Sequence, residues 1–158
     1  MKYKILFIKP DGESSLKVMA IPLAPLYLSA YLKKSMGAKL EIELLDLRFI
    51  KNKERGLAEK LLQFKPDLVG VTSMTFERSS LPGIVETVKE NTPEAKIVIG
   101  GPFITTNYDR TLPEIDIDCA VIGEGEVVLE NLVKKFMQGK DIRSTKGIAY
   151  SQKGKVIF

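Results

Sequence analysis

Three short clusters rich in glycine and hydroxyl or carboxylate side chains each follow directly on an apolar run. They are Ser73-Met74-Thr75, Gly100-Gly101-Pro102-Phe103 and Gly123-Glu124-Gly125-Glu126. A fourth loop, Pro10-Asp11-Gly12, closes the first apolar run. The hydroxyls of Ser73 and Thr75 can bond an amide, a phosphate or the edge of a heterocycle, and can equally cap a helix. Paired Gly100 and Gly101 let a backbone come close to a bulky ligand or simply permit a tight turn. Pro102 and Phe103 make that loop stiff and apolar, which suits a flat ligand better than a phosphate; packing of Phe103 under the next helix is the alternative. Glu124 and Glu126 at a helix start complement the helix dipole. They also repel phosphate, while remaining able to accept hydrogen bonds from ligand amides or hydroxyls.

What the chain lacks narrows the chemistry further. Its 158 residues include no histidine and one cysteine, Cys119. No histidine-based triad, histidine general base, CxxC pair or four-thiolate cluster can be built from it. Neither GxGxxG nor GxxxxGK[ST] occurs, against a dinucleotide or nucleoside triphosphate. The net charge of +4 arises from 24 basic and 20 acidic residues that are interspersed, as on solvated helix faces and unlike a nucleic-acid stripe. No apolar run approaches the roughly 20 residues of a membrane span, and Ile5 to Ile8 is too short for a signal-peptide core. A cytoplasmic location is the expectation.

The elements that must position these loops follow from hydrophobic periodicity. Apolar, β-branched runs at Ile5–Ile8, Leu40–Leu47, Leu68–Thr72, Lys96–Ile99 and Cys119–Ile122 predict five strands. Between them, Pro22–Met36, Glu54–Phe64, Leu81–Glu90 and Val127–Met137 predict helices, the first with a stripe at Leu23, Leu26, Tyr27, Ala30 and Tyr31. A short helical or irregular piece is expected near Asp109–Leu112. Strands without a polar face require a parallel sheet covered on both sides. The expected fold is therefore α/β, doubly wound and flavodoxin-like, with five parallel strands in the order 2-1-3-4-5. Residues 1–145 form this domain, and residues 146–158 read as a β-hairpin. In such a fold the ligand crevice lies outside the carboxyl ends of the strands, where the loops above belong.

Read in order, Pro22-Leu-Ala-Pro-Leu-Tyr-Leu-Ser-Ala-Tyr-Leu, Pro66-Asp-Leu-Val-Gly-Val-Thr-Ser-Met-Thr, Ala95-Lys-Ile-Val-Ile-Gly-Gly-Pro and Asp118-Cys-Ala-Val-Ile-Gly-Glu-Gly-Glu are similar to a known pattern. The chain resembles the N-terminal cobalamin-binding domain of cobalamin-dependent radical SAM enzymes, among them methyltransferases and anaerobic magnesium-protoporphyrin monomethyl ester cyclases. That resemblance implies a corrin over the strand ends and a nucleotide tail in the crevice. It implies tail contacts from Ser73, Met74 and Thr75, room made by Gly100 and Gly101 beside Pro102 and Phe103, and an opposite wall of Gly123, Glu124 and Gly125. Pro10, Asp11 and Gly12 would face the lower side of the corrin.

Two departures shape the expectation. Cobalamin mutases and methionine synthase carry Asp-x-His-x-x-Gly after the first strand, whereas this loop reads Asp11-Gly-Glu-Ser-Ser-Leu16; many relatives have Gly-Gly-Pro-His where Phe103 stands. Cobalamin is therefore expected base-off with no protein ligand to cobalt. The Cys-x3-Cys-x2-Cys motif that holds a 4Fe-4S cluster and S-adenosylmethionine is absent, so this chain is expected to bind and not to catalyse. Its partner would be a radical SAM domain beyond the hairpin. A ligand-free flavodoxin-like scaffold is the competing reading. A phosphoreceiver is disfavoured by Thr72-Ser73 where the acceptor aspartate belongs, and a flavodoxin by the hydroxyl-poor first loop.

Overall fold

The computed structural model describes residues 2–12 and 20–158. The stretch from Glu13 to Leu16, which completes the loop compared above with Asp-x-His-x-x-Gly, lies outside the described residues. The chain alternates β1 (Tyr3–Lys9), α1 (Leu23–Met36), β2 (Leu40–Asp46), α2 (Lys53–Phe64), β3 (Leu68–Thr72), α3 (Leu81–Asn91), β4 (Lys96–Gly100), α4 (Pro102–Thr111), β5 (Cys119–Val121) and α5 (Glu126–Met137), then β6 (Ile148–Gln152) and β7 (Lys155–Ile157). One sheet runs β2-β1-β3-β4-β5-β6-β7. The first five strands are parallel in the expected order, and β6 joins the β5 edge antiparallel through Ala120 opposite Ala149. The hairpin thus extends the same sheet, which has seven strands where five were expected.

Strand periodicity divides the core in two. Successive side chains of a strand point to opposite faces. Leu6, Ile8, Val69, Ile97 and Ile99 therefore pack with α2, α3 and α4, while Ile5, Phe7, Leu68, Val98 and Val121 pack with α1 and α5. Both sets are buried, which is why these strands read as unbroken apolar runs.

Two helices differ from expectation. In α1 the predicted stripe faces solvent: Leu23 is 71% and Tyr27 65% exposed. The packed face is instead Pro25, Leu28, Leu32 and Met36, an equally regular spacing of three and four that leaves Leu23, Leu26 and Tyr27 outside. Apolar residues lie on both faces of α1, so periodicity alone could not choose between them. The piece expected near Asp109 is a full helix from Pro102, with one non-helical residue at Asn107. Proline is well placed in a first turn, but Thr105, Thr106 and Asn107 have weak helix propensity and conceal the helix.

Candidate functional site

The carboxyl ends of β1, β3, β4 and β5 open into a cavity of about 180 Å³, walled by the first turns of α1 and α5. Its inner surface is built by Phe7, Gly70, Val98 and Val121 from the sheet, Leu28 from α1 and Leu129 from α5. Tyr27, Glu124 and Glu126 also line it, with Tyr27 and Glu124 reaching solvent. Thr72, the last residue of β3, brings a hydroxyl that makes no hydrogen bond to another described residue. A cavity of this size suits a ring: an engineered apolar cavity of roughly 150 Å³ holds benzene.

The glycines around it do different work. A Cβ on Gly70 would come 2.7 Å from the Phe7 ring, so Phe7 already fills that space. A Cβ on Gly100 would meet only Val121, at 3.9 Å, which leaves the space above Gly100 open toward the cavity. Gly101 has φ +105°, and a Cβ there would lie 2.8 Å from the carbonyl oxygen of Ser73. Gly101 is required by the close approach of two protein loops, whatever occupies the crevice.

Of the residues singled out from sequence, Gly100, Gly101, Gly123, Glu124 and Gly125 line the cavity. Ser73 does not. It is fully buried, donates to the carbonyl of Gly100 at 2.9 Å and accepts from the Ile104 N–H at 3.3 Å. Its own carbonyl accepts from Phe103 N–H at 3.0 Å. Ser73 thereby ties the end of β3 to the start of α4. Met74 and Thr75 lie outside the cavity, on a 3-10 turn (Thr75–Ser80) that begins where the Met74 N–H donates to Glu77. Pro102 opens α4, and Phe103 packs into the core on the α2–α3–α4 side, away from the crevice. Thr72 and Phe7 were missed. Alternation along β3 and β1 was the available signal, because Thr72 and Ser73 cannot both point to the α1–α5 face.

Pro10, Asp11 and Gly12 do not line the cavity and are held toward the 3-10 turn by several ties. Lys9 forms an ion pair with the fully buried Glu77, Ser80 Oγ donates to the Asp11 carbonyl, and Lys53 pairs with Asp11 at 3.0 Å. Gly12 lies so close to Phe76 that a Cβ would overlap the ring. Burial pulls the Lys9 ammonium below its usual range, and Arg48 adds to this; the Glu77 carboxylate against it offsets that cost.

Set beside known proteins, the chain matches a family model described as the B12 binding domain over residues 14–133. It is 30% identical over 97% of its length to an uncharacterized methyltransferase of Pyrococcus horikoshii, and 34% identical over 98% to the anaerobic magnesium-protoporphyrin IX monomethyl ester cyclase of Rubrivivax gelatinosus. It covers 34% and 29% of those two proteins, so the chain spans about a third of the curated relatives it matches. Among solved structures, it superposes with a TM-score of 0.85 and 23% identity on the radical S-adenosylmethionine methyltransferase TsrM from Kitasatospora setae, covering 99% of this chain and 30% of that one.

Proposed function

The chain belongs to the B12-binding domain family, and from that premise we propose that it holds cobalamin base-off, with the nucleotide tail in the crevice between α1 and α5. The observation that carries this placement is the open space above Gly100 in an otherwise apolar, ring-sized cavity. The residues fit the tail's uncharged aromatic base: Phe7, Val98, Val121 and Leu129 supply apolar contact, and the Thr72 hydroxyl can donate to a ring nitrogen. Bound cobalamin supplies a cobalt centre for methyl or electron transfer. The chain's own part is to bind and orient it. No histidine is present to ligate cobalt.

Relatives about three times as long support a second step of the proposal. In it the parent protein adds a radical SAM domain carrying a 4Fe-4S cluster and S-adenosylmethionine, and catalyses methyl transfer or oxidative ring closure. The hairpin at residues 146–158 leads toward that domain. On its own the chain should cleave no S-adenosylmethionine under anaerobic reducing conditions; deoxyadenosine above a boiled control would overturn that division of labour.

Titration with hydroxocobalamin, followed through the corrin absorption bands, tests the binding step. Gly100→Val should leave thermal unfolding unchanged and weaken binding at least tenfold, because the new side chain meets free space and not protein. Equal affinity for Gly100→Val and wild type would overturn the crevice placement, and a base-on spectrum in the bound state would overturn the base-off assignment. No spectral change with the wild-type chain would favour the scaffold reading.

A further inference from the structure

We infer that the crevice also selects the base at the end of the corrinoid tail, accepting an apolar bicyclic base such as dimethylbenzimidazole and discriminating against a purine. The inference rests on the cobalamin reading above. The inner lining offers a buried base only the faces of Phe7, Val98, Val121 and Leu129 and the backbone of Gly70 and Gly100. One side-chain hydroxyl without a protein partner, that of Thr72, stands at the strand ends. A hydroxyl can serve one ring nitrogen. A benzimidazole released from cobalt has one such nitrogen, so the count closes.

An adenine base has an exocyclic amino group and further ring nitrogens. In this lining they would be buried with no donor or acceptor to meet them, which costs affinity. The remaining polar side chains, Tyr27, Glu124 and Glu126, lie on the first turn of α1 and at the start of α5 and not on the sheet floor. A purine lacks the two methyl groups of dimethylbenzimidazole as well, so it also makes less apolar contact.

The test compares three corrinoids on the intact wild-type chain: hydroxocobalamin, its adenine-based analogue and tail-less cobinamide. Adenine leaves cobalt more readily than dimethylbenzimidazole, so any bias from the base-off equilibrium runs against the expected order. We expect cobalamin to bind roughly ten- to a hundredfold more tightly than the adenine form, the range over which an apolar pocket rejects an added polar group. Cobinamide should bind more weakly than cobalamin. Equal affinity for the two tailed corrinoids, both above cobinamide, would overturn the selection and leave the crevice reading standing. If a carboxylate at the rim reached the purine amino group, the adenine form would match or exceed cobalamin and Glu126→Gln would reverse that, which also overturns the inference. Equal affinity for all three would remove the tail from the crevice altogether, and binding of none would overturn the cobalamin reading itself.

Discussion

Gly101 and Cys119 illustrate how single residues carry burdens unrelated to ligand. Gly101 adopts φ 105° and ψ 175°, a region open essentially to glycine alone. Gly101→Ala should cost on the order of 1–3 kcal/mol in denaturant unfolding of the ligand-free chain. Cys119 is buried in β5, and burial, with Asp118 adding, pushes its thiol up to about 12 from 9.0. The thiol should resist a disulfide reagent in the native state and react fully once unfolded. The native pKa is raised, so the contribution is complete below the unfolded value and falls away as pH rises. Between about pH 9 and pH 12 the unfolded thiol ionises while the native one keeps its proton, which removes up to about 1.4 kcal/mol per pH unit. Cys119→Ala should flatten that part of the stability profile; identical slopes for variant and wild type would contradict it.

At the scale of the element, two helical glycines that look alike in sequence should respond with opposite signs. Gly83 in α3 has open space where a Cβ would stand, so Gly83→Ala should stabilise by roughly 0.5–1 kcal/mol through backbone entropy and helix propensity. Gly56 in α2 lies against Ile50, whose side chain occupies the Cβ position. Gly56→Ala should therefore destabilise despite its better propensity, and paired thermal melts would show the split. At the start of the same helix the Asn52 side chain accepts from the Arg55 N–H at 3.1 Å. Asn52→Ala should cost about 1 kcal/mol, the usual worth of such a cap.

For the whole molecule, the hairpin is the informative segment. Ile148 and Ala149 are buried, and β6 covers the edge of β5. Ending the chain at residue 145 would leave that edge unpaired and two core positions empty. It should lower the melting temperature and promote aggregation. Ending it at residue 152 removes only β7, whose residues are exposed or half-buried, and should be far milder. Equal melting temperatures for both truncations would mean that the sheet is complete without β6.

The apolar runs of β1, β3 and β4 determined a parallel sheet covered on both faces, and the order of glycine, proline and carboxylate loops determined which ends of the strands carry the site. Both are properties of local pattern, since a strand buried on two sides has nowhere to put a polar residue. Tertiary structure alone decided which neighbour each loop residue meets. Ser73 and Thr72 differ by one position, yet one ties β4 and α4 together while the other faces the crevice. Gly100 and Gly101 are likewise adjacent, one leaving room and the other avoiding a collision. Leu23 and Leu28 offered α1 two rival apolar faces, and only packing on β1 and α5 chose between them. Facing and close approach arise between segments far apart in the chain, and no spacing within one segment encodes them.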